Sequence, residues 1–417
     1  MKAFPPHDQA PAAPTPSDTP PETTSFAHLD YRGFARDLRT LRKRLDAERG
    51  PEDLAHLRRI ERVGRASSLV GLLTAAFAVN PISIVLLSLG SFVRWAMVTH
   101  PVSHRGYNRI AGVPARYTSQ GFARGWRRFI DWFDWIHPEA WHHEHNVFHH
   151  YYTSEPEDPD IVEVNVAPIR AWRAPVWVKT LVLLLLAATW KLTYYAPSTF
   201  RVWLRVRARK KVEGPRGKLR EVMPRDPSVE PPYGLMFLPT HTEGREFWRR
   251  CVLPYGVGRF VLLPLLFLPL GTSASLAVLI NLVLAELLTN AHSFFVIATN
   301  HSGDDMYRFD KPMAHRDEFY VRQVISAANF PTGSKVGDFL YGWLNYQIEH
   351  HLWPDMTLLQ YQKAQPEVKA LCERYGVPYV QQPLRKRIYQ LWRIYVGKSS
   401  MRHADTMAGT MGAESMT

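Results

Sequence analysis

"ASSLVGLLTAAFAVNPISIVLLSLGSFVRWAMVTH" occupies residues 66–100 and is almost wholly apolar. It is broken once, at Asn80-Pro81. Proline is accepted at the first position of a helix and disfavours helix in the residue before it. The break therefore reads as a tight turn between two helices. Each half is a little short of the ~20 residues that a bilayer core requires. Together they read as two spans joined at the turn. The alternative is a helical hairpin buried in a soluble core, but length and composition favour the membrane.

Similar runs follow. "PVWVKTLVLLLLAATWKLTYYAP" (175–197) carries Lys179 and Lys191, whereas "GRFVLLPLLFLPLG" (258–271) and "ASLAVLINLVLAELLTNAHSFFVIATN" (274–300) read as a second hairpin. Residues 31–65 are charged and predicted helical. Both they and the stretch 201–225 are rich in Arg and Lys, which places both on the cytoplasmic side. Two spans return the chain to the cytoplasm near His100. By parity the run 175–197 does not cross; it lies in the interface with its lysines reaching outward. The second hairpin then brings the chain back inside near His301.

The expected fold is thus an all-α membrane protein. It has four transmembrane helices in two hairpins, an interfacial helix and a helical cytosolic cap. Residues 1–30 form a Pro-rich disordered tail, 31–65 a cytosolic basic helical segment, 66–398 the integral membrane domain, and 399–417 a second disordered tail. The N-terminus lacks the apolar stretch of a secretory signal. Two cysteines, Cys251 and Cys372, are far apart, which excludes a disulfide framework, a zinc ribbon and an iron–sulfur cluster held by this chain alone. A formal charge of +13 suits nucleic acid, an anionic membrane surface or an acidic protein. The apolar runs select the membrane over nucleic acid.

Histidine carries the chemistry. Eight of the 18 histidines fall between residues 100 and 150. In "HPVSH", His100 and His104 are four apart and share a helix face. "HPEAWHHEHNVFHH" (137–150) repeats that spacing with His145 and His149. His150 lies roughly 100° round the helix from His149, so the adjacent pair can serve two metals, one on each side. In "NYQIEHHLWP" (345–354), Gln347, His350 and His351 are predicted to share one face, with Glu349 pointing away. His301, at the end of the last apolar run, is preferred as a further ligand. His292, deeper in that run, reads as a packing histidine.

Imidazole suits Fe, Zn, Cu and Ni. A catalytic zinc takes about three protein ligands plus water, so this many candidates fit two open iron sites better. Carboxylate-type di-iron sites pair Glu with Glu-x-x-His. Here only Glu139 and His142 have that spacing.

Taken together, "HPVSH", "EHNVFHH" and "LNYQIEHHLWP" resemble the three histidine boxes of the membrane fatty acid desaturase and hydroxylase superfamily. The last box is close to the Q-x-E-H-H-L-F-P signature of front-end acyl-lipid desaturases. The run "RQVISAANF" (322–330) resembles that family's approach to the third box. The likeness covers roughly residues 65–360. It implies two non-haem irons, held by His100, His104, His145, His149, His150, His301, His350 and His351, with Gln347 where some members have histidine. It also implies O2-dependent removal of two hydrogens from an acyl chain. The second box is H-x3-HH, one residue longer than the common H-x2-HH, which leaves His142 and His143 open as alternatives to His145. Pro101 stands where front-end members usually carry Asp, and no cytochrome b5 motif is fused to the chain.

Further expectations follow. "YGVGRF" (255–260) lacks a dinucleotide fingerprint's third glycine, so electrons must come from an external ferredoxin or cytochrome with its reductase. The expected setting is a bacterial inner membrane, with the site on its cytoplasmic face. A hydroxylase would use nearly the same ligands. A membrane zinc hydrolase predicts one zinc, and a metal transporter predicts polar residues deep within several spans.

Overall fold

The computed structural model describes residues 23–213 and 231–406. Most of both expected tails and part of the basic stretch 201–225 lie outside the described residues. Helix α1 (Tyr31–Ala47) starts at Asp30, whose side chain accepts from the Gly33 amide at 2.9 Å. Helix α2 (Pro51–Ala75) packs antiparallel on α3 (Pro81–Ser103). Asn80 caps α3 by accepting from the Ser83 amide at 2.8 Å, with Pro81 in the first turn. The predicted Asn-Pro turn is therefore a helix cap.

Glycine lets α2 and α3 approach closely. A Cβ on Gly90 would lie 2.0 Å from Ser68 Oγ and 2.8 Å from the Gly64 carbonyl oxygen. Three more long helices follow: α4 (Val176–Ala208), α5 (Thr242–Leu270) and α6 (Thr272–His301). Helices α5 and α6 join at Gly271, whose φ of +107° is open to glycine and strained for other residues. Among the described residues, four helices, α3 to α6, are long and apolar enough to cross a membrane. Leu69, Leu73, Leu185, Leu266, Leu270 and Leu276, with Phe77 in the α2–α3 turn, leave a wide apolar surface exposed on α2, α4, α5 and α6.

Three details differ from expectation. First, Lys179 and Lys191 turn inward. Lys179 donates to the Arg170 carbonyl at 2.9 Å, and Lys191 meets Asp134 at 2.8 Å. A charged amine flanked by apolar side chains is held where it finds an acceptor, and both find one inside. Second, α4 is long enough to span, yet both its ends pack on the cap: Trp392 donates to Thr180 at 3.0 Å, and His137 stacks on Trp203 at 5.0 Å. Third, the inner ends of the expected tails are ordered. Strands β1 (Thr23–Ser25) and β2 (Tyr307–Arg308) both pair in parallel with the C-terminal strand Arg402–Asp405. Backbone pairing across the whole chain fixes these three- and four-residue segments, which lack any local pattern.

The cap holds short helices: α7 (Glu318–Ile325), α8 (Gln347–Leu352), α9 (Leu358–Tyr375) and α10 (Leu384–Val396). Two buried arginines tie it together. Arg387 donates to Asp305 at 2.7 Å and to the carbonyls of Thr299 and Ser302, which bracket His301. Arg322 bonds Glu155 at 2.9 Å and Glu318 at 3.1 Å.

Candidate metal centre

The second histidine box is wound as a π-helix over His142–His149. Single π turns add one residue per turn and recur at functional sites. This one places His145 and His150 in the same group, five positions apart, and sends His149 to another. The longer H-x3-HH spacing is taken up by that turn. His142 is exposed and its Nδ1 meets the Asn146 amide at 3.1 Å, away from the cluster.

Two groups of imidazoles result. His100, His104, His145, His150 and His350 bring one ring nitrogen each within 4.8 Å of one another, and His149, His301 and His351 do the same. Each adjacent pair, 149/150 and 350/351, is divided between the groups. Helix α8 differs from expectation in one respect: His350 faces the first group, while His351 and Gln347 face the second. Gln347 Nε2 lies 2.8 Å from His301 Nε2. Other Nε2 pairs are as close: 3.2 Å for His100 and His145, 3.3 Å for His145 and His150, 3.1 Å for His301 and His351.

Partners behind the rings set the tautomers. His149 Nδ1 donates to Asp158 at 2.9 Å. His351 Nδ1 lies 3.0 Å from Gln323 Oε1, which can only accept. The Tyr361 hydroxyl donates to the Pro354 carbonyl at 3.0 Å and so accepts from His350 Nδ1 at 3.0 Å. In all three rings the Nε2 lone pair is left to face the centre, as metal ligation requires. His350 Nε2 and His104 Nε2 are buried with no partner among the described residues. Burial, then the neighbouring imidazoles, holds His104, His145, His150 and His351 well below the ordinary histidine value. Burial also lowers His149, but the Asp158 carboxylate outweighs it and holds the ring above that value. Neutral, inward-facing imidazoles are what a divalent metal needs. Eight are too many for one tetrahedral zinc.

Beside the cluster lies a cavity of about 590 Å³. His145, His149, His301 and Gln347 form one wall. Val162, Ile169, Val182, Leu186, Phe294 and Ile297 make most of the rest apolar, and Thr193, Ser198, Arg201 and Tyr233 add polar lining. Helices α4 and α6 supply much of the apolar wall.

The family model for fatty acid desaturases matches residues 75–383. The chain belongs to the fatty acid desaturase family. The match covers the metal cluster and most of the cavity wall. This desaturase is 23% identical to the NADPH-dependent stearoyl-CoA 9-desaturase of Mycobacterium tuberculosis (strain CDC 1551 / Oshkosh), over 88% of this chain and 80% of that protein. It is 30% identical to the acyl-lipid (7-3)-desaturase of Rebecca salina, over 60% of this chain and 51% of that one. It is 31% identical to the sn-1 linoleoyl-lipid 6-desaturase of Synechocystis sp. (strain ATCC 27184 / PCC 6803 / Kazusa), over 20% of this chain and 24% of that one. No solved structure matches the desaturase significantly. It is an integral membrane enzyme with a buried histidine cluster compatible with a metal site.

Sequence spacing did not point to Asp158, Asp160, Gln323 or Tyr361. Asp160 comes within ligand range of His145 and His149. The acidic run "EPEDPD" (155–160) directly after the second box was the available signal.

Proposed function

We propose that this desaturase introduces a double bond into a lipid acyl chain, at two irons held by His100, His104, His145, His149, His150, His301, His350 and His351 with Gln347. One observation carries this reading: two sets of imidazoles converge, and three of their rings, His145, His149 and His301, line an apolar cavity. When bound, the irons supply the O2 chemistry that removes two hydrogens from an unactivated chain. Two electrons from the substrate and two from outside reduce O2 to two waters. The protein's part is to bind, orient and exclude water. Asp158, Gln323 and Tyr361 fix the ring tautomers; the apolar wall takes the chain against His145, His149 and His301. The relatives' printed names, stearoyl-CoA and acyl-lipid desaturases, support an acyl substrate. The first of them is named as NADPH-dependent, which supports a reductase with a ferredoxin- or cytochrome-type carrier as the electron source.

The membrane arrangement is part of the proposal. The α2–α3 and α5–α6 pairs cross as hairpins, α4 runs along the underside of the cap, and the histidines face the cytoplasm of a bacterial inner membrane. The basic ends of α2 and α4 support that orientation. The domain bounds are proposed as a membrane domain over 66–398 behind a basic helical segment, 31–65.

Expression in a host of known lipid composition, followed by fatty acid profiling, tests the reaction. The expected result is a new acyl species lighter by two hydrogens, absent with His350→Ala although the variant still inserts. A product heavier by one oxygen would make the enzyme a hydroxylase. Retained unsaturation in His350→Ala would remove that ring from the ligand set.

A further inference from the structure

A second cavity, about 410 Å³, lies between α2, α3 and the loop around Ile130, and it shares no lining residue with the acyl cavity. Arg94 of α3 lines it. Among the described residues this guanidinium has no hydrogen bond and no ion pair within 4 Å. Every carboxylate nearby is committed elsewhere. Glu61 accepts from Arg65 at 2.6 Å, from Tyr117 at 2.6 Å and from Arg116. Asp131 takes Arg127 through two bonds of 2.9 Å. Deeper in, Asp134 holds Lys191, and Glu286 takes Arg259, Tyr255 and Trp135. Among the charged residues that line the cavity, Glu61, Arg65, Arg94 and Asp131, Arg94 is therefore the one without a counter-charge in contact. Asp134 and Glu286 act on Arg94 only from beyond contact distance, alongside Arg259; an arginine held against apolar helices without an anion in contact is costly, and in membrane segments such residues are paired.

Depth identifies the missing anion. A Cβ on Gly64 would meet Val93, so Arg94 is level with Arg65, the last charged residue before the apolar run of α2. Below that level Leu69 and Leu73 are more than half exposed. On the other side of the cavity Trp126, Phe129 and Ile130 are 68%, 54% and 52% exposed, in the arrangement of an interfacial loop. A group at this height has headgroups beside it and acyl chains beneath it. Leu69 and Leu72 continue the cavity toward the apolar side.

We infer that Arg94 and Arg65 bind the phosphate of an anionic glycerophospholipid, with one acyl chain lying along Leu69 and Leu72. The inference rests on the membrane placement proposed above. It is an accessory lipid site, separate from the acyl cavity.

Full-length enzyme in neutral detergent is titrated with dioleoyl phosphatidylglycerol, and thermal stability is followed. The lipid is expected to raise the melting temperature saturably. Arg94→Gln is expected to weaken that response roughly tenfold or more, since a lost charge-assisted bond is worth that much. Leu69→Trp, which fills the apolar half and leaves both arginines, is expected to weaken it as well. Should Arg94→Gln fail to fold, Leu69→Trp carries the test. Equal responses in the wild type and the folded variants overturn the site. An equal response to inorganic phosphate overturns the lipid, and an equal response to sodium oleate overturns the phosphate headgroup. Metal content of the same preparations reports separately on the enzyme reading.

Discussion

Asp158 shows how a single carboxylate shapes the centre. It accepts from His149 Nδ1, and its own oxygens are held by the amides of Ser154 at 2.7 Å and Asp160 at 2.8 Å. Such outer partners are typically worth 10- to 100-fold in metal affinity. Asp158→Asn should therefore lose roughly 10-fold or more in affinity, read by metal retention against a graded chelator, with the fold intact. Glu155 offers a pH test. Burial pushes its carboxyl up to about 7 against the pull of Arg322. An acid whose native value exceeds its ordinary 4.5 stabilises the fold below 4.5 and loses that contribution as pH rises through about 7. Thermal stability should thus fall across this window, by on the order of 3 kcal/mol at most, and Glu155→Gln should flatten the slope. Spacings such as His100 and His104 were legible because they are local. Gln323 and Tyr361 were not, because chain folding brings them to His351 and His350 from outside the boxes.

At the scale of elements, the apolar runs were legible and their ends largely so. Asn80-Pro81 marked a helix start by its own chemistry. The π turn at His142–His149 was not legible. An i, i+4 reading puts His145 and His149 together, and their rings do meet within 4.8 Å beside Asp160, but the wider turn also groups His145 with His150. The adjacent pair His149 and His150 serves two centres, and the turn adds His145 to the centre of His150. Nor was the inward turn of Lys179 and Lys191, because only tertiary packing supplies their acceptors. The α2–α3 contact makes a separate prediction. Gly90→Val drives a side chain into Ser68 and the Gly64 carbonyl, and should cost about 1–3 kcal/mol, read as a lower melting temperature. A variant as stable as the parent would show that these helices pack otherwise.

For the whole molecule, the cap and the long helices form one device. His100 lies in the last turn of α3 and His301 ends α6, so packing these helices together brings two boxes to one height. Arg387 fixes the end of α6, and α8 supplies the last pair from the far side. Helix α4 closes the apolar cavity against α6. The histidine boxes announced the chemistry early because metal ligation demands particular side chains at particular spacings. The cavity, built from Val, Ile, Leu and Phe on residues 162–169, α4 and α6, has no such signature. The proposal that these eight imidazoles hold two irons is checked by metal analysis of the purified full-length enzyme. Two irons per chain are predicted, with a clear loss in His350→Ala. One zinc per chain and no iron would contradict the claim.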